Sequence, residues 1–130
     1  MSEAVYGETN PQPGVDKDGV QRFGSAIELR PEKEAYYREL HANVWPGVQK
    51  MISAANIRNY NIFYAELQGK KYLFSFMEYH GSDLEGDMAK FPQDEETLRW
   101  WKETDPCQQR LPGTPDGDQW LNLERVFFQA

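Results

Sequence analysis

Cysteine is nearly absent. Cys107 stands alone, so no internal disulfide can form, and with only two histidines no Cys/His cluster has metal-ligand spacing. No structural zinc and no cofactor are expected. Positive charge is short as well: 14 Lys and Arg face 21 Asp and Glu, and no basic cluster is placed to neutralise phosphates. Nucleic acid is therefore not an expected partner. The chain lacks any apolar run long enough to span a bilayer, and its N-terminus lacks the basic-then-apolar layout of a signal peptide. A cytoplasmic protein with no membrane association is expected.

What is present suits one folded domain. The chain has 130 residues, 39% hydrophobic, 14% aromatic and 27% charged, enough for one core and too few for two. Residues 1–20 are rich in Gly, Pro, Asp and Glu without periodicity and read as a flexible N-terminal arm, leaving 21–130 as the domain.

A strand is expected from Arg22 to Leu29, ending at Arg30-Pro31, where proline favours helix entry. From Glu32 to about Ala55, Tyr36, Leu40, Val44, Val48, Met51 and Ala55 recur every three or four positions, which predicts an amphipathic helix. Pro46 must kink or restart it near Trp45, because proline removes an amide donor and clashes with the preceding turn. Asn59–Leu67 and Lys71–Tyr79 read as a hairpin joined through Gln68-Gly69-Lys70. Ser82–Thr104, with Leu84, Met88, Leu98 and Trp101, predicts one or two short helices divided at Phe91-Pro92. Leu111–Gln119 is turn-rich, and Glu124–Phe128 alternates as a last strand would.

The order β-α-β-β-α-β is the ferredoxin-like arrangement, an α+β fold with a four-stranded antiparallel sheet and helices on one face. The bare second face calls for cover, so a homodimer packed through the sheets, a dimeric α+β barrel, is expected.

Tyr37, His41 and Trp45 are spaced by four and form one slanted row at the edge of the apolar stripe. A histidine with limited access to water makes a useful proton donor near neutrality; the alternative is a buried histidine satisfied by a backbone carbonyl. Trp100 and Trp101 are adjacent in a polar helix, where they cannot both face one core. With Tyr37 and Tyr60 they suit the apolar C–H faces of a pyranose, or else serve as core or dimer contacts. His80, at a strand end beside Gly81, reads as a solvated turn residue.

Four stretches, Tyr37-Arg-Glu-Leu-His41, Trp45-Pro46, Asn59-Tyr60 opening a strand, and Arg99-Trp100-Trp101-Lys102, together resemble the L-rhamnose mutarotase family. The similarity runs from about Arg22 to Phe128 and includes the Pro-Asp loop before Glu124-Arg-Val-Phe. Order and spacing carry it more than any single motif. The chain departs from the family pattern at Gly47, where Glu is common, at Asn43, where proline is usual, and at Arg58, where histidine is common. The resemblance implies the dimeric ferredoxin-like fold, His41 as proton donor, and a sugar site lined by Tyr37, Tyr60, Trp100 and Trp101. The expected chemistry is metal-free interconversion of sugar anomers, with L-rhamnose as the first candidate and L-fucose or another 6-deoxy sugar as alternatives. A cationic His41 would donate to the ring oxygen while Tyr37 orients it or shares the proton. Two rivals are a non-catalytic sugar-binding module on the same fold and a heme-handling protein with His41 as axial ligand.

Overall fold

The computed structural model describes residues 3–130, so Met1 and Ser2 lie outside it. Its spine is strand β1 (Gln21–Leu29), which pairs antiparallel with β3 (Lys70–Tyr79) from Gln21 opposite Tyr79 to Leu29 opposite Lys71. Strand β2 (Ile57–Leu67) pairs with the far side of β3. The other edge of β1 carries two short pieces, β4 (Gln108–Gln109) against Glu28 and Leu29, and β5 (Leu121–Leu123) against Gly24–Ala26. The fourth strand of the expected ferredoxin-like sheet is thus present but broken in two, with an eleven-residue loop (110–120) thrown out between the pieces.

The hairpin follows the sequence reading: Gln68 (φ 53°) and Gly69 (φ 79°) adopt the left-handed conformations of a two-residue hairpin turn. The long helix restarts, as the proline required. Helix α1 (Glu34–Ala42) ends before Asn43, and α2 (Pro46–Ala54) begins with Pro46 in its first turn. The break also changes the buried stripe. Tyr37 rather than Tyr36 is buried in α1, because Val44 falls between the helices and the row cannot continue; Tyr36 points out, its hydroxyl donating to Glu103. After α3 (Leu84–Met88), α4 (Glu95–Thr104) starts at Asp94, whose carboxylate accepts from the Thr97 amide at 2.9 Å. Its buried face is Thr97, Trp100 and Thr104, while Leu98 and Trp101 are exposed, so the two adjacent indoles do face different surroundings.

Strand alternation turns Ile27, Leu29 and Leu73 toward the helices, where they pack with Tyr37 and Cys107. Each such burial contributes about 1.5–3 kcal/mol. The opposite face carries Phe63, Phe74 and Phe76; Phe63 is 59% exposed, the other two are half-buried, and Phe76 borders a cavity with the tail residues Phe127 and Phe128.

The last strand lies earlier than its alternation suggested. Leu121–Leu123 pairs with β1, and 124–130 is not strand, because Arg125 is drawn into a bidentate pair with the buried Asp16 carboxylate at 2.9 and 3.0 Å. Arg22 joins the same carboxylate at 2.9 Å, and both guanidiniums lie over the Phe128 ring. The Phe128 amide donates to the Thr9 carbonyl, so the segment read as an arm touches the tail directly.

The segment 81–93 is tied to the sheet by Asp87. Its carboxylate accepts from Tyr79 Oη, from Asn56 Nδ2 at 2.9 Å and from Lys90 Nζ at 2.8 Å, and these donors hold it well below the usual carboxylate range. Gly81 lies so close to this cluster that an added Cβ would collide with the Tyr79 hydroxyl. A depressed folded pKa means stability present above the unfolded value of about 4 and lost as pH falls through the folded one. Asp87→Asn should therefore lower the Tm at neutral pH, and its deficit against wild type should shrink as pH drops below about 4, followed by thermal melts across pH.

Candidate active site

Helix α1 contributes two side chains one turn apart. The Tyr37 and His41 rings stack with centroids 4.1 Å apart and planes 21° from parallel, and His41 Nδ1 lies 2.9 Å from the Tyr37 carbonyl oxygen. A carbonyl can only accept, so Nδ1 carries a proton and the lone pair of neutral His41 is on Nε2. Nε2 has no protein partner among the described residues. One nitrogen of this histidine is satisfied by a backbone carbonyl, and the ring also walls a cavity. Burial pushes the His41 pKa below its ordinary 6.5, with the carbonyl bond opposing. The resting side chain is neutral near pH 7, where the sequence reading had made it a cation.

Tyr37 is 4% exposed, and burial holds its phenol far above the ordinary range, fully protonated. Its hydroxyl oxygen accepts from Gln108 Nε2 at 3.4 Å. Helix α4 sets Trp100 edge-on to both His41 and Trp45, each at 5.1 Å between centroids. The Tyr37, His41, Trp45 row thus closes on Trp100, although Trp45 lies beyond the end of α1. Trp101, 37% exposed, lines the same cavity from the next position.

Tyr60 arrives by a different device. The β2–β3 register shifts between Arg58 and Asn61, and Asn59 takes φ 49°, a left-handed conformation that asparagine tolerates. This bulge re-aims Tyr60 into the cavity. Arg58 is spent on backbone, donating to the Ser53 and Ile57 carbonyls at 2.9 and 2.8 Å. Gly47 leaves room for the Glu96 carboxylate against the first turn of α2, where an added Cβ would collide with it. A carboxylate from α4 thus occupies the helix N-terminus beside which the family pattern has its own Glu.

All five expected residues, Tyr37, His41, Tyr60, Trp100 and Trp101, border one cavity of about 690 Å³, inside the usual span of small-molecule pockets. A second cavity of about 810 Å³ shares His41, Tyr60, Trp100 and Trp101 and continues along apolar Val48, Ile52, Met77 and Phe91.

The remaining wall of the first cavity escaped the sequence reading. Asp105 and Gln108 follow α4, and Arg110, Asp118, Gln119 and Trp120 come from the loop between β4 and β5. The loop had been marked by its Pro/Gly content, but no spacing singled out these side chains. Arg110 holds it in shape, with Nε donating to the Asp118 carbonyl at 2.8 Å and Nη2 to the Thr114 and Pro115 carbonyls at 3.1 and 2.8 Å. Burial raises the Asp105 carboxyl above its usual range. His80 is far from this wall: its amide donates to the Asn56 carbonyl, and its ring pairs with Glu78 at 3.2 Å. Among the described residues no group of three or more His, Cys, Asp or Glu is arranged to hold a metal ion. No helix among them is long and apolar enough to cross a membrane.

Comparison with known proteins matches residues 22–129 to the L-rhamnose mutarotase family model. An L-rhamnose mutarotase of Bacillus subtilis (strain 168) is 28% identical over 109 residues, covering 84% of this chain and 98% of that protein. One from Mesorhizobium japonicum is 24% identical over 113 residues, covering 85% and 98%. The crystal structure of an L-rhamnose mutarotase from Formosa agariphila superposes with a TM-score of 0.62 at 21% identity, covering 85% of this chain and 99% of that one, and so shares the fold.

The protonation state of His41 is directly measurable. In ¹⁵N-edited NMR its imidazole should titrate below 6.5, with the proton of the neutral form on Nδ1. A midpoint at or above that value would contradict the desolvated site.

Proposed function

Because this chain belongs to the L-rhamnose mutarotase family, we propose that it interconverts the α and β anomers of a free monosaccharide, L-rhamnose first, in the cavity walled by Tyr37, His41, Tyr60, Trp100 and Trp101. The observation that carries the reading is the stacked Tyr37–His41 pair, a hydroxyl and an unpartnered imidazole nitrogen held side by side. Anomer exchange needs that combination. The hydroxyl on the anomeric carbon must lose a proton while the neighbouring ring oxygen, on the same carbon, gains one.

Neutral His41 takes the anomeric hydroxyl proton on Nε2 as the bond from anomeric carbon to ring oxygen breaks. Tyr37 delivers its hydroxyl proton to the departing ring oxygen. The open aldehyde rotates about its bond to the next carbon, and closure on the other face runs the transfers backward, returning one proton to Tyr37 and one from His41 to the new anomeric hydroxyl. Burial supports the assignment by keeping His41 neutral and Tyr37 protonated at neutral pH. Trp100, Trp101 and Tyr60 offer aromatic faces to the sugar's C–H surface, and the polar loop wall offers partners for its hydroxyls.

The catalytic domain is 21–130, acting in the cytoplasm as a homodimer that buries the Phe63, Phe74 and Phe76 face. Support for the dimer is the exposure of Phe63, beside half-buried Phe74 and Phe76, on a sheet whose other face holds the core. Sedimentation should give a dimer for wild type, and Phe63→Asp should give a monomer.

Saturation-transfer NMR between the anomeric protons of L-rhamnose, with L-fucose in parallel, tests the activity. Wild type should accelerate exchange, His41→Ala should lose about 10²- to 10⁴-fold, and Tyr37→Phe should be impaired while still folded, with some loss of stability from the Gln108 amide it leaves without an acceptor. Activity should hold through neutral pH and fall only on the acid side of 6.5 as His41 becomes charged. Full exchange by His41→Ala would refute the assignment, and an inert, folded wild type would favour a binding module.

A further inference from the structure

Gln108 is 6% exposed, sits where α4 hands over to β4, and touches Tyr37 rather than the cavity floor alone. Its amide is engaged at both ends. Gln119 Nε2 donates to Gln108 Oε1 at 3.1 Å, and Gln108 Nε2 donates to Tyr37 Oη at 3.4 Å. The polarity of this chain follows from atom types. Gln108 turns its carbonyl end to Gln119 and its NH₂ end to Tyr37, and an NH₂ group only donates, so the phenol oxygen accepts there. Its own proton must leave in another direction.

The structure assigns to Gln108 and Gln119 the role of a directional relay that points the Tyr37 proton at the substrate, making Gln108 a positioning residue for proton transfer. The inference rests on the function proposed above. The relay begins in the loop that breaks the fourth strand, where Gln119 is adjacent to Asp118, whose carbonyl Arg110 holds. Loop conformation is thereby coupled to the orientation of one hydroxyl hydrogen. Thr104 and Asp105 approach the same cavity, but no bond joins either side chain to Tyr37 among the described residues, which leaves Gln108 as its hydrogen-bonding partner.

Two substitutions at one position separate orientation from packing. Gln108→Leu removes the donor at similar volume. Gln108→Glu replaces it with a carboxylate that accepts the Tyr37 proton and diverts it from the sugar. In saturation-transfer NMR with L-rhamnose, Gln108→Glu should lower kcat by up to about 100-fold with KM little changed, and Gln108→Leu by less. The ratio of Gln108→Glu to wild-type kcat should rise as pH falls, because the protonated carboxyl again presents a donor, while the Gln108→Leu ratio should stay flat. Independently of turnover, the ¹³Cζ resonance of Tyr37, identified by its loss in Tyr37→Phe, should move in Gln108→Leu at neutral pH. Wild-type kcat in Gln108→Glu, parallel losses in kcat and KM without recovery in acid, or an unmoved ¹³Cζ resonance would overturn the relay. An inert wild type whose resonance still moves in Gln108→Leu would remove the mutarotase reading and leave the relay standing.

Discussion

The floor beneath Tyr37, the Tyr60 wall and the loop wall of the cavity all hang on β1, directly or through β3. One edge of this strand carries the nine-pair ladder to β3, through which β2 and Tyr60 are placed. The other edge carries both halves of the broken fourth strand, so the 110–120 loop is anchored at each end to the same strand. Its inward side chains Ile27 and Leu29 form the floor on which Tyr37 is buried. An antiparallel ladder is stiff and fixes which residues share a face, which lets residues distant in sequence meet around one small volume.

On that frame, desolvation does most of the electrical tuning. Among the described residues neither Tyr37 nor His41 forms an ion pair, and burial is the largest cause of both shifts: the phenol is held protonated and the imidazole neutral. In the proposed mechanism an acid and a base are thus obtained from two uncharged groups in opposite roles. Such a pair suits a reaction whose forward and reverse steps must be equally easy. The tightly paired charges lie elsewhere, in the Asp16–Arg22–Arg125 and Asp87–Lys90 clusters, where they fasten the terminal segments and the 81–93 segment to the sheet. Separating structural charge from the reacting pair keeps strong ion pairs from fixing the protonation of the site.

The irregular backbone is concentrated where side chains must be aimed. The restart at Pro46 places Trp45 against Trp100, the bulge at Asn59 turns Tyr60 inward, and the interruption of the fourth strand brings Gln119 onto Gln108. Each interrupts a regular helix or strand, and each places a side chain in or against the cavity wall.

Some of this was legible before any coordinates. The hairpin at Gln68-Gly69 and the restart at Pro46 are written in residues whose backbone chemistry is local, so neighbours in sequence suffice to read them. The four-residue spacing from Tyr37 to His41 likewise made them neighbours on one helix, and the family resemblance supplied Tyr60, Trp100 and Trp101. Packing decided the rest. Nothing local makes Tyr37 inward and Tyr36 outward, draws Arg125 out of the sheet to a carboxylate 109 residues away, or joins Gln108 to Tyr37 across 71 positions. The sequence by itself determined the β-α-β-β-α-β order, the hairpin, the helix restart and the placement of Tyr37 and His41 one turn apart on a single helix. Only the tertiary structure decided which tautomer His41 adopts and what its pair faces, because desolvation and hydrogen-bond direction depend on atoms brought together from strands and loops far apart in the chain.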